Sequence, residues 1–286
     1  MATDDSRGDV AASNAAMAEA WDGATGASWA AQADRFDRSA RLYQPHLIEA
    51  AGIGTSDRVV DVGCGAGQLS LDCAARAPSG WVTGVDLSGR LLEVARARAA
   101  EQGVGNVEFL HVDAQQHEFA AASYDLVVSR SGTMFFGDPV AAFTNLGRAL
   151  RPGGRLVMMV WQGLARSDWI RTIFEPLAAG RDLGWPPEDG QSPLGLSRPE
   201  RVREIFAAAG FADVALDEVA EPVDFGSDAD AATDFVLGLQ GGMLEELDAA
   251  TRAGAIDNLR SALAAHETPE GVLLGAATWF VTATRP

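Results

Sequence analysis

Apolar positions along the chain fall into short unbroken runs that alternate with longer amphipathic stretches. Residues 59–62, Val59-Val60-Asp61-Val62, form the first run, and its continuity predicts a buried parallel strand. Similar runs end at Asp86, Asp113, Ser129 and Trp161, and a looser one covers 211–219. Between them, 68–76, 90–101 and 140–150 carry apolar residues at helical spacing. Strands that alternate with helices predict a doubly wound α/β sheet, which binds ligands at the carboxyl ends of its strands.

The flanking regions read differently. Residues 1–12 are polar and acidic and are expected to be a disordered leader. A short helix is predicted over 14–21, with Met17 and Trp21 on one face, then a break at 22–27. A longer helix over 28–51, interrupted near Pro45, carries Trp29, Phe36, Tyr43 and Leu47. After Trp161 a helix is expected over 168–179, followed by a proline- and glycine-rich loop at 184–195. Ser197-Arg198-Pro199-Glu200 has capping-box spacing, so a helix should start there and stop at Gly210. Helices over 229–239 and 244–265 precede a last strand over 271–283. The expected organisation is a leader and helical cap at 1–52 and one sheet domain at 53–286. Helical lid insertions fall at about 163–200 and 226–266.

The 286 residues include 47% hydrophobic and 22% charged, ordinary for a folded domain with a substantial core. A net charge of −18, with no local basic cluster, argues against nucleic acid and anionic membrane surfaces. Most of that acidity is read as solubility. Only Cys64 and Cys73 are present, so neither a disulfide framework nor a cysteine metal site is indicated. No apolar stretch reaches membrane-spanning length. A cytoplasmic protein, monomeric or homodimeric, is expected.

Three glycines on alternate positions, Gly63, Gly65 and Gly67, follow the first strand directly. Glycine tolerates positive φ and lets a ligand approach the backbone. The dinucleotide spacing G-x-G-x-x-G/A fails from Gly63, because its third position is Gln68. From Gly65 the third position is Ser70, which is small and keeps that frame open. Asp86 closes the second strand 19 residues after Gly67. A carboxylate there can accept protons from both vicinal hydroxyls of a ribose, with Leu87 against an adenine face. Asp113 closes the third strand and can accept from an adenine amino group, while Ala114 offers a backbone N–H. The loop 132–136, Gly132-Thr133-Met134-Phe135-Phe136, is an apolar wall for a second ligand. His46, His111, His117 and His266 are the imidazoles available as a base, and Tyr43 is a candidate acceptor-site hydroxyl.

Taken in order, Asp61 to Gly67, Gly84-Val85-Asp86, Asp113-Ala114, Tyr124-Asp125-Leu126-Val127 and Leu150-Arg151-Pro152-Gly153-Gly154 resemble the motifs of class I S-adenosylmethionine (SAM)-dependent methyltransferases. The resemblance is specific over about 55–162. Its shape is similar to bacterial small-molecule enzymes of the quinone and natural-product tailoring type. It implies a Rossmann-like seven-stranded sheet whose last strand is antiparallel and lies between strands five and six. It implies SAM as cofactor and S-adenosylhomocysteine (SAH) as product. Gly63, Gly65 and Gly67 would line the methionine part, with Asp61 behind them. Asp86 and Leu87 would hold the ribose and ring, and Asp113 and Ala114 the adenine. Ser129 and Arg130 would stand near the transferred methyl, and Trp29 would cover the cofactor. Tyr43, His266 and Arg130 are the catalytic candidates, and no metal is implied. The acceptor is expected to be a small, partly apolar molecule, methylated on carbon or oxygen. The chain lacks the Asn-Pro-Pro-Tyr-type tetrapeptide, which argues against methylation of base or glutamine nitrogens. Two other readings stay open: a protein of this fold that binds SAM or runs other chemistry, and a nicotinamide oxidoreductase.

Overall fold

A computed structural model of the chain describes residues 8–286. The first seven residues of the expected leader lie outside it. Four short helices come first: α1 (Ala15–Asp22), α2 (Ala24–Ala31), α3 (Ala33–Ser39) and α4 (Gln44–Ala51). Then β1 (Arg58–Val62), α5 (Gln68–Arg76), β2 (Trp81–Asp86), α6 (Gly89–Glu101), β3 (Val107–His111) and β4 (Tyr124–Arg130) alternate. α7 (Pro139–Ala149), β5 (Leu150–Trp161), α8 (Asp168–Ala178), α9 (Pro199–Ala208) and β6 (Ala212–Ala220) follow. The chain ends with β7 (Val223–Gly226), α10 (Ala229–Gln240), α11 (Ala249–Ala264), β8 (Glu267–Thr268), β9 (Gly271–Leu274) and β10 (Ala277–Thr284).

Seven strands make one sheet in the order β3-β2-β1-β4-β5-β10-β6. β10 runs antiparallel to both β5 and β6, and the other pairs are parallel. The order reverses between β1 and β4, so the crevice at their carboxyl ends is the switch point where such sheets bind ligands. Alternation places successive residues on opposite faces. Val59, Val128, Val157 and Met159 pack on one side, with α4, α5 and the late helices. Val60, Val62, Val127, Leu156 and Met158 pack on the other, with α7 and α9. Phe225, Phe235, Leu259 and Leu263, all after β6, join the first of these cores, so the late helices pack directly on the sheet. Asp138 caps α7 ahead of Pro139, and Ser88 caps α6.

Several elements depart from the sequence expectations. Residues 8–12 are not a free leader: the Gly8 N–H donates to the His111 carbonyl at 3.0 Å, and the Ala11 N–H to Asp113 at 3.0 Å. The expected break at 22–27 is a kink at Gly23 followed at once by α2. Gly26 serves close packing there, since a Cβ would lie 1.7 Å from the Trp21 carbonyl oxygen and 2.5 Å from Ser88 Oγ. The long helix over 28–51 is three separate helices. Glu200 makes no capping box: α9 starts at Pro199, and Ser197 Oγ is buried with no protein partner among the described residues. A one-turn 3-10 helix at Gly241–Leu244 precedes α11, which Asp248 caps. The strand expected over 271–283 divides at Gly275. Its first part, β9, pairs with β7 and β8 in a small separate sheet, and β10 alone enters the main one.

Candidate cofactor and acceptor site

A cavity of about 240 Å³ opens at the switch point, beneath the N-terminal helices and the late helices. Asp61 stands at its base, at the end of β1. It is 1% exposed, and its Oδ2 accepts from Ser70 Oγ at 2.6 Å. Its Oδ1 is buried and has no protein donor among the described residues. Burial pushes the Asp61 carboxyl up to about 7. Ser70 and the Arg130 guanidinium pull it down, and Asp86 pushes it further up.

The three glycines have three different reasons to be glycine. Gly63 (φ +67) permits close approach of two turns, since its Cβ would lie 2.7 Å from the Gly132 Cα. Gly65 (φ +54) lines the cavity, and its Cβ would enter open space. Gly67 does not line the cavity. It packs α5 against α6, because its Cβ would stand 2.8 Å from the Ala95 Cβ and 3.0 Å from Phe109. Ser70, the third small residue of the Gly65 frame, is fully buried against β2, where a Cβ on Gly84 would meet its Oγ at 2.9 Å. The frame therefore packs helix on strand in the manner of dinucleotide folds, while Asp61 is the feature those folds do not explain.

Asp86 ends β2 beside the glycine turn. Its Oδ2 accepts from the Gly65 N–H and its Oδ1 from the Ser88 N–H, both at 2.8 Å. Burial raises its pKa against these bonds. Leu87 lines the cavity, and its carbonyl lies 2.9 Å from His111 Nε2, so His111 is held behind the site. Asp113 and Ala114 line the same end. The Asp113 carboxylate accepts from Ala11 N–H, from Asn14 Nδ2 at 2.8 Å and from Gln115 N–H at 2.9 Å. The N-terminal segment thus closes over the residue expected to meet the adenine. Trp29 roofs the cavity with Trp21, 5.2 Å away, and Phe36, 4.3 Å away.

Three predicted residues hold other places, and a fourth is already bonded to the protein. Ser129 is 1% exposed and outside the cavity lining; its Oγ donates to the Val62 carbonyl at 2.7 Å and accepts from Gly132 N–H, bracing β4 to β1. Tyr43 is fully buried outside the cavity. Its hydroxyl bonds to the backbone of Glu221 and to the Ala276 carbonyl, and burial pushes its pKa up to about 12. His266 sits at the turn after α11, away from the cavity, where its carbonyl accepts from Leu273 N–H. Arg130 does line the cavity, but its guanidinium is committed to Asp37 and to Gln44 Oε1 at 2.9 Å. Asp37 also pairs with Arg98, so one carboxylate ties two arginines over the glycine turn. Neither His46 nor His117 lines the cavity. Cys64 does, but burial, then Asp86 and Asp61, hold its thiol well above the usual range. Among the described residues no cluster suits a metal ion.

The far end of the cavity is an aromatic chamber that sequence reasoning missed. Trp161 ends β5, Trp169 starts α8, Phe225 lies on β7, and Phe235 and Leu239 lie on α10. They come from four different elements, so only the folded sheet brings them together.

A methyltransferase-domain family model matches residues 59–154. An uncharacterized protein of Mycobacterium tuberculosis strain H37Rv is 40% identical over 117 residues, 41% of this chain and 42% of that protein. The ubiquinone/menaquinone biosynthesis C-methyltransferase of Pseudomonas fluorescens is 34% identical over 121 residues, 42% of this chain and 47% of that enzyme. The chain thus spans less than half the length of these curated relatives. The crystal structure of a Bacillus subtilis protein, YcgJ, shares the fold at a TM-score of 0.59 and 18% identity, over 86% of this chain and 98% of that one. Residues 59–154 thus match a methyltransferase domain, set on a seven-stranded sheet with one antiparallel strand.

Proposed function

We propose that the chain transfers a methyl group from SAM to a small, largely apolar acceptor held in the aromatic chamber. One observation carries the reading: Asp61 Oδ1 is buried without a donor among the described residues, at the foot of a glycine turn that opens into the cavity. A buried carboxylate oxygen is costly unless a donor or cation meets it. The cationic amino-acid end of SAM supplies such a donor. Gly65 gives that end an approach to the backbone. Asp86 keeps lone pairs free for ribose hydroxyls beyond the two N–H groups it already accepts. Leu87 and Ala114 supply apolar and backbone contact for the adenine, with Asp113 beside them.

When bound, SAM supplies an electrophilic methyl on a sulfonium sulfur. The chain's part is to bind, orient and exclude water. Trp21, Trp29, Phe36 and Phe135 wall the cavity, and positioning of the acceptor beside the methyl supplies much of the acceleration expected of an in-line displacement. Asp61, Asp86 and the net charge of −18 favour a cation in the site. That charge, in a chain without a single lysine, also speaks against nucleic-acid acceptors. Among the described residues no helix is long and apolar enough to cross a membrane. With Cys64 and Cys73 both free and buried, we assign the chain to the cytoplasm.

Titration of SAH into the protein by calorimetry tests the cofactor, and SAH release in the presence of oxygenated aromatic acceptors tests the transfer. No SAH binding at millimolar concentration overturns the reading. SAH binding without methyl transfer to any acceptor keeps the cofactor and overturns the transferase.

A further inference from the structure

The aromatic chamber holds a second orphaned polar atom. Trp169 Nε1 is buried and meets no acceptor among the described residues, while the indole lines the cavity. Three other tryptophans spend their N–H groups on the protein. Trp279 donates to the Ser197 carbonyl at 2.9 Å, Trp81 to Glu108 at 3.1 Å and Trp21 to the Met17 sulfur at 3.1 Å. Trp169 is held firmly all the same. Its backbone N–H donates to the Gly275 carbonyl at 3.3 Å, in the link between β9 and β10. Its ring packs 5.4 Å from Trp161 and 6.5 Å from Phe225. A buried donor without an acceptor is unfavourable, and phenylalanine would fill the chamber without that cost. An indole in that position has a use for its N–H when the chamber is filled.

We infer that Trp169 Nε1 donates a hydrogen bond to an oxygen of the methyl acceptor, and that the acceptor is a flat apolar ring system bearing a carbonyl or phenolic oxygen. The inference rests on the methyltransferase reading for the word acceptor, and on the chamber alone for the chemistry. Trp161, Trp169, Phe225 and Phe235 offer aromatic surface, which suits a planar ring. The donor is neutral, and the cavity-lining cation, Arg130, is already tied to Asp37 and Gln44. A neutral donor in an apolar chamber suits a carbonyl or hydroxyl oxygen and leaves a phosphate or sulfate uncompensated. A site built around a hydrogen bond discriminates strongly against the analogue that lacks the bonding atom.

The test uses the SAH-saturated protein and a matched pair of probes, 1-tetralone and tetralin, which differ by one carbonyl oxygen. Calorimetry should show tetralone bound at least about tenfold more tightly than tetralin. In a spectrum of the protein labelled with nitrogen-15 in its indoles, tetralone should shift one N–H signal, and tetralin should not. Trp169→Phe should remove that signal and the preference for tetralone, while SAH affinity stays within about twofold. Equal binding of the two probes, binding of neither, or a preference that survives Trp169→Phe overturns the inference. If the variant fails to fold, the two probes and the indole spectrum of the wild type decide. Failure to bind SAH at all would instead overturn the methyltransferase reading, so the two failures are distinct.

Discussion

Ser70 Oγ donates to Asp61 Oδ2 across 2.6 Å, and Asp61 Oδ1 receives no hydrogen bond from the described residues. The pair divides one carboxylate between structure and ligand. Ser70 comes from the first turn of α5 and locks the carboxylate against β1; the other oxygen belongs to the cavity. In the ligand-free chain this arrangement costs stability whenever Asp61 is ionised. Its pKa is about 7 in the fold and about 4 when unfolded, so between those values the native state holds the extra proton. The contribution is therefore fully present below about pH 4 and is lost as pH rises through about 7. Urea unfolding should show wild type losing up to a few kcal/mol relative to Asp61→Asn between about pH 5 and pH 8. A difference that does not change with pH would refute the assignment.

Cofactor binding should run the other way. The ammonium of SAH favours ionised Asp61, so binding expels a proton wherever Asp61 is protonated. SAH affinity should rise with pH by up to about tenfold per unit below about 7 and level off above it. Asp61→Asn should bind more weakly and lose this dependence. Calorimetry in two buffers of different ionisation enthalpy reads the released proton directly.

Asp86→Ala should weaken SAH at least tenfold, about 1.4 kcal/mol. The substitution removes the acceptor that would meet the ribose and also the one that holds the Gly65 and Ser88 N–H groups. Asp86→Asn separates the two roles, since it keeps an oxygen for one N–H but loses charge. Equal SAH affinity in wild type and Asp86→Ala would rule out a ribose contact there.

Tyr43→Phe should leave SAH affinity and transfer unchanged and lower unfolding stability by about 1–3 kcal/mol. The hydroxyl bonds to the backbone of Glu221 and to the Ala276 carbonyl, neither of which lines the cavity. A fall in methyl transfer with stability intact would return Tyr43 to the site.

The sheet was legible because its strands are buried on both faces and read as continuous apolar runs, as Val59–Val62 and Leu156–Trp161 do. The acids at strand ends were legible because position in a strand dictates where they emerge. What misled was tertiary in origin. Tyr43 and Ser129 have polar groups that satisfy backbone atoms far along the chain, and nothing local marks that use. Gly26 looks like a breaker but is a packing glycine set by Ser88 and Trp21. The chamber of Trp161, Trp169, Phe225 and Phe235 draws on four elements, and no spacing rule joins them. The split of the last strand falls at Gly275, where a Cβ would lie 2.9 Å from the Asp168 carboxylate.

Gly65 and Gly67 provide a sharper test of which part of the turn serves the ligand. Both have positive φ, +54 and +84, so alanine is strained at each by about 1–2 kcal/mol. Their surroundings differ. A methyl on Gly65, a cavity-lining residue, meets nothing within 4 Å. A methyl on Gly67 meets the Ala95 Cβ at 2.8 Å, an atom that cannot rotate away, so α6 must shift. Overpacking of that kind adds about 1–3 kcal/mol. Gly65→Ala should therefore lose SAH affinity with a modest drop in stability. Gly67→Ala should lose more stability, and the fraction that remains folded at low temperature should still bind SAH. Urea unfolding paired with SAH calorimetry reads both quantities. If Gly65→Ala binds as wild type does while Gly67→Ala folds normally but does not bind, then Gly67 rather than Gly65 faces the ligand, and the cradle must be redrawn one turn toward α5.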